Sequence, residues 1–126
     1  MGILMSALTP YNNDPYASNL AQIPVLAIHG SEDDNVPPRQ CREHVALISA
    51  WEGDQKNIKL VEVTKRNHWW DDIFREEQVT KWIRDLPGKR SWDEDRANGF
   101  TLTTANPMEC GGRAGIGILE METPGR

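Results

Sequence analysis

An α/β fold built on a parallel sheet is predicted by three stretches taken together. Ile23–Ile28 is a nearly continuous apolar run, bounded by Pro24 at its start and Gly30 just after it, as suits a strand buried on both faces. Cys41, Val45, Ile48 and Trp51 then recur at helical spacing behind Pro37-Pro38, which suits the first turn of a helix ending near Gly53. Ile58–Val63 alternates in the manner of a second strand. Strand, helix and strand in this order make one βαβ unit.

The remaining elements follow in chain order. Residues 1–22 are rich in turn formers (Pro10, Asn12, Asn13, Asp14, Pro15) and read as an irregular approach segment. The α/β body is expected over residues 23–88, closing with a helix from Ile73 to Leu86. Asp72 is the candidate cap of that helix, its apolar stripe is Val79, Trp82, Ile83 and Leu86, and Pro87-Gly88 ends it. Trp51 and Trp82, both on helical stripes, read as core. Residues 89–99 are charged and without period, as in a linker. Phe100–Ala105 and Ile116–Met121 alternate, so residues 100–126 read as a partial β-strand unit.

Composition narrows the partners. The 126 residues carry 14 Lys and Arg against 19 Asp and Glu, a net charge of −5, and no basic run. That balance disfavours nucleic acid and anionic membrane as partners. Cys41 and Cys110 lie far apart and belong to no C-x-x-C pair, so neither a zinc site nor a redox motif is expected. The opening residues lack a signal-peptide pattern, no 18-residue apolar run occurs, and the composition fixes no compartment.

Chemistry concentrates in two loops. The first strand runs into HGSEDDNVP, residues 29–37, and the second is followed by RNHWWDD, residues 66–72. Both loops leave the carboxyl ends of strands, where open α/β sheets bind ligands. Asp33 and His68 are thereby expected to meet. An aspartate that accepts the Nδ1 proton of a histidine holds the imidazole in the tautomer that takes a proton from a nucleophile. On spacing alone a second account stands beside this one: Asp33 closes an Asx-turn or caps the following helix, and His68 is an ordinary loop residue. A metal cluster of His29, Asp33, Asp34, His68, Asp71 and Asp72 has no ligand spacing behind it, so no metal and no cofactor is expected. Trp69 or Trp70, beside His68, would wall a pocket or cover the sheet edge.

His29-Gly30-x-x-Asp33-Asp34-Asn35-Val36-Pro37 resembles the acid-bearing loop of α/β-hydrolases, most closely that of the prolyl oligopeptidase and dipeptidyl peptidase group of serine peptidases. Ala17–Leu20 resembles the approach to that strand, and Asn67-His68 the turn bearing the histidine, so the likeness spans about residues 14–86. The resemblance implies the C-terminal portion of an α/β-hydrolase parallel sheet with its flanking helices, followed by the start of a β-rich appendage. It implies Asp33 as triad acid and His68 as general base, with Asp34 and Asn35 supporting the loop or lining the substrate edge, while Trp69 is placed at the substrate by its position beside His68. Two features depart from the group. No G-x-S-x-G nucleophile elbow occurs, and His68 is followed by two tryptophans rather than a small residue. Since the triad order is Ser, Asp, His, the nucleophile is expected upstream of Met1. The expected partners are then a peptide or ester substrate and the remainder of the hydrolase domain, and the 126 residues by themselves are expected to be inactive. A non-catalytic binding or regulatory module and a metal-dependent hydrolase are the alternatives.

Overall fold

The structure, a computed structural model, describes residues 12–51, 57–86, 88 and 92–121. They belong to two compact units, one of residues 22–88 and one that joins residues 12–21 to residues 92–121.

In the first unit β1 (Val25–Gly30) and β2 (Ile58–Val63) form a two-stranded parallel sheet, with α1 (Pro38–Trp51) as the crossover. The register runs from Val25 opposite Ile58 to Gly30 opposite Val63, so the two strands end level. Their loops therefore leave the same sheet edge side by side. Two backbone bonds extend the pairing past the strands: Ser31 N–H donates to Val63 O at 3.0 Å and Glu32 N–H to Arg66 O at 2.9 Å. α1 packs on both strands. Ile48 on α1 and Val61 on β2 are each only 2% exposed, as apolar side chains on contacting faces should be. β1 is half-buried along its apolar run rather than buried on both faces, because β2 is its one neighbouring strand among the described residues. Gly53, where the helix is expected to end, lies outside the described residues. Trp51 is exposed rather than core.

The closing helix begins later than the sequence predicts. Ile73–Arg75 is a single 3₁₀ turn, Glu76 is extended, and α2 spans Glu77–Asp85. Asp72 does not cap it: the residue sits in the left-handed region at φ 65°, and its carboxylate pairs instead with Arg75 at 3.3 Å. Of the predicted apolar stripe, Val79 is buried, Trp82 is half-buried, and Ile83 and Leu86 are exposed. Val79 is thus the anchor of α2. Val79→Ala is expected to cost roughly 2 kcal/mol, from two lost methyl groups and an unfilled gap. The check is urea unfolding, in which the midpoint should fall at unchanged slope.

In the second unit a 3₁₀ helix, Asp14–Leu20, is tied to the segment around residue 103 by side chains. Asn19 Nδ2 donates to Thr103 O at 2.8 Å, Thr103 N–H donates to Asn19 Oδ1 at 2.6 Å, and the Ser18 and Thr103 hydroxyls meet at 2.7 Å. Arg113 Nη1 donates to Asn19 O and Thr101 O, and its guanidinium lies over the Phe100 ring. These bonds explain one correction. Phe100–Ala105 is not a strand, because backbone groups a neighbouring strand would have paired are taken by the Asn19 amide and the Arg113 guanidinium. The expected β-rich appendage is reduced, among the described residues, to a hairpin of β3 (Gly112–Arg113) and β4 (Ile116–Gly117). Within the stretch read as a linker, Trp92–Asn98 is a helix, α3, and Pro107–Cys110 forms one further helical turn, α4. The Asn106 side chain accepts from Met108 N–H at the start of α4, as an N-cap should.

Candidate active site

The loop after β1 is built around the Asp33 carboxylate. Oδ1 accepts the N–H of Asn35 at 3.0 Å and of Val36 at 2.8 Å, which is an Asx-type closure. Both donors precede Pro38, the first residue of α1, so Asp33 closes the loop rather than capping the helix. The same carboxylate meets His68: Nδ1 lies 2.9 Å from Oδ2 and 3.2 Å from Oδ1. Asp33 therefore closes its own loop and meets His68 with one side chain.

The loop after β2 presents His68 through Asn67. Asn67 Oδ1 accepts His68 N–H at 2.7 Å and reaches Asp34 N–H at 3.4 Å, linking the two loops. Lys65 N–H donates to Ser31 Oγ, a second link. Close approach of these loops requires Gly30: a Cβ there would stand 2.4 Å from both Arg66 O and Asn67 O, far inside van der Waals contact.

Chemical consequences follow from the partners. A carboxylate only accepts, so neutral His68 carries its proton on Nδ1, and Nε2 holds the lone pair. Among the described residues Nε2 makes no hydrogen bond, and the side chain is 27% exposed. Asp33, by contrast, is 4% exposed at its side chain. Burial pushes the Asp33 carboxyl up, but the Val36 N–H, His68, and the Asn35 N–H together outweigh it and hold the carboxyl below the ordinary aspartate value. Asp33 is thus a buried anion oriented on a part-exposed imidazole.

The other residues expected at the site are distributed around this pair. Asp34 and Asn35 contribute backbone N–H groups to the loops, while their side chains make no hydrogen bond or ion pair among the described residues. Trp69 is exposed, and its ring stands edge-on to His68 with centroids 5.0 Å apart. Trp70 is half-buried, and its buried indole N–H has no partner among the described residues. Neither Asp71 nor Asp72 joins the Asp33 cluster: Asp72 is paired with Arg75.

Two features escaped the reading of the sequence. His29 Nε2 lies 3.1 Å from Asp33 Oδ2 and 2.9 Å from Val36 O, making a second imidazole on the carboxylate. The sequence signal for this particular contact was the i,i+4 spacing to Asp33. Glu62, the register partner of His29, is held by a bidentate bond from Arg42 of α1, with Nη2 2.8 Å from Oε2. The Arg42 bond draws the Glu62 carboxyl below its ordinary range, and burial opposes it only in part.

The class is an α/β-hydrolase fold, implied by a family match over most of the chain and consistent with a small parallel sheet flanked by helices. Within that class, residues 4–88 match the pattern of the prolyl oligopeptidase family of serine peptidases, and the chain belongs to that family. An "Uncharacterized secreted protein" of Arthroderma benhamiae is 26% identical over 116 residues. The match takes in 92% of this chain but 12% of that protein, so the chain spans a small part of the length of the curated relative. No solved structure matches the chain.

Proposed function

We propose that Asp33 and His68 are the acid and the base of a Ser-His-Asp triad that hydrolyses an acyl bond, peptide or ester, and that the serine comes from polypeptide outside these 126 residues. The observation that carries this reading is the 2.9 Å bond from His68 Nδ1 to Asp33 Oδ2, which leaves Nε2 available as the proton acceptor. The serine Oγ adds to the carbonyl carbon as its proton passes to Nε2, and Asp33 stabilises the imidazolium formed. That proton then goes to the leaving amine or alcohol as the acyl-enzyme forms. Water, deprotonated by the same Nε2, cleaves the ester and restores the serine. Every step is carried by protein groups and water, so the reading calls for no cofactor. Asp34, Asn35 and Trp69 line the substrate edge in this reading, the Trp69 ring being the exposed apolar surface beside His68.

Fluorophosphonate labelling tests it. The 126-residue chain is expected to take no label. A longer protein that includes this chain and a G-x-S-x-G segment is expected to be labelled at that serine, and His68→Ala to remove the labelling. Label on Ser18, Ser31 or Ser49 of this chain would overturn the reading, as would undiminished labelling of the His68→Ala protein.

A further inference from the structure

The described residues contain a second imidazole at the Asp33 carboxylate that the triad reading does not use. We propose that His29 is a positioning residue: by donating its Nε2 proton to Val36 O, with Asp33 Oδ2 3.1 Å away, it fixes the end of the loop whose N–H groups hold the carboxylate in the orientation that keeps His68 in the Nδ1–H tautomer. The proposal rests on the reading of Asp33 and His68 as acid and base, and deepens it.

The hydrogen-bond inventory supports the assignment. Oδ1 is held by two backbone donors, from Asn35 and Val36. Oδ2 faces two imidazoles, His68 at 2.9 Å and His29 at 3.1 Å. Val36 O, 2.9 Å from His29 Nε2, belongs to the residue whose N–H is on Oδ1. Carbonyl and carboxylate oxygens are both acceptors, so Nε2 of His29 must carry the proton. That N–H therefore ties the far end of the loop to β1, with the ring nitrogen 3.1 Å from the carboxylate. The His29 side chain is 13% exposed and sits on β1, so the donor is anchored in the sheet rather than in the loop it restrains.

The surrounding charges leave that donor to Asp33. Glu62 is opposite His29 on β2, and its carboxylate is engaged by the forked guanidinium of Arg42 from α1. Glu62 and Asp33 are thus the anions near His29, and Arg42 and His68 are the groups paired with them. Without His29, Val36 O loses its side-chain tie, and the Val36 N–H that holds Asp33 Oδ1 is itself less firmly placed. The carboxylate orientation then loosens, and His68 relaxes towards the Nε2–H tautomer that histidine prefers in water. That tautomer presents a proton, not a lone pair, to the nucleophile.

Long-range proton–nitrogen NMR on the ¹⁵N-labelled 126-residue chain at alkaline pH reads the tautomer directly, with three histidines to assign. The wild-type chain is expected to show His68 as Nδ1–H and His29 as Nε2–H. In His29→Ala the Nδ1–H form of His68 should drop from the major to the minor species. His29→Gln, whose amide nitrogen reaches the position of Nε2, should restore it. Native methyl shifts at Ile48 and Val79 report that each variant is folded. Should His29→Ala lose them, His29→Gln is compared with His29→Asn, whose amide stops one methylene short and is expected to behave as the alanine variant. A folded His29→Ala or His29→Asn chain with His68 still Nδ1–H overturns the positioning role and leaves the Asp33–His68 pair standing. A folded glutamine variant that fails to restore the tautomer also overturns it. Wild-type His68 found as Nε2–H would overturn the triad reading itself, and this inference with it.

Discussion

Asp33→Asn, made in a protein that carries both this chain and the serine, is expected to lower kcat by roughly 10⁴-fold while KM changes little. The asparagine keeps the shape of the loop, since its carbonyl oxygen can still accept from Asn35 and Val36. Its amide nitrogen then faces His68 and donates where the carboxylate accepted, which drives the imidazole into the Nε2–H tautomer. Loss of folding and loss of catalysis are thereby separated. The same substitution has a pH signature. Because the folded state holds the Asp33 carboxyl below its ordinary value, the group contributes stability that is fully present above the unfolded value. That stability is lost as pH falls through the folded value, so the wild-type chain should weaken on acidification below about pH 4. Asp33→Asn should lose less stability over that range, measured by urea midpoints at matched pH. An unchanged kcat would remove Asp33 from the machinery, and identical acid profiles would contradict its buried, donor-rich setting.

Gly30→Ala is expected to be almost as damaging, although it adds one methyl group and touches neither the Asp33 nor the His68 side chain. The added carbon meets two backbone carbonyl oxygens at 2.4 Å and the Arg66 carbonyl carbon at 2.7 Å. No rotamer change relieves a collision between backbones. The loop after β2 must move away, which loosens the Glu32–Arg66 bond and carries Asn67 and His68 with it. Overpacking of this kind costs about 3 kcal/mol, the upper part of the usual range, since both partners belong to the main chain. A displacement of about 1 Å at His68 costs roughly 10²-fold in rate. Urea unfolding gives the first number and single-turnover acylation the second. Equal stability with an undisturbed His68–Asp33 pair would mean that the loops accommodate the methyl group.

What could be read from the chain before any fold was known divides along a physical line. The βαβ unit was legible because β1, α1 and β2 are written in local periodicity: an apolar run, a helical stripe and an alternation. Asp33 and His68 were legible as partners because both follow strands that must end at one edge. Side-chain substitutes for backbone pairing were not legible. Thr101–Thr104 alternates with its neighbours as a strand would, yet its hydrogen-bonding groups are claimed by Asn19, 84 positions away from Thr103, and by Arg113. Helix boundaries failed for a similar reason. Asp72 has the chemistry of a cap, but its left-handed backbone and its pairing with Arg75 commit it to the turn before α2. Trp51 lies on the apolar stripe of α1 at its last described turn and remains 58% exposed. His29 was hidden because its role depends on Val36 O, a backbone atom that no residue pattern encodes.

The amide clamp between Asn19 and Thr103 sets an order of events in synthesis. A ribosome must deliver residue 103 before Asn19 has anything to hold, and closing a loop of that length costs about 4 kcal/mol of chain entropy. The βαβ unit lies wholly between them in sequence, within residues 22–88, and has been synthesised before residue 103 is. Residues 12–21 therefore wait without the Asn19–Thr103 clamp through the emergence of the whole intervening unit, and during that interval they are a stretch open to a chaperone or a protease.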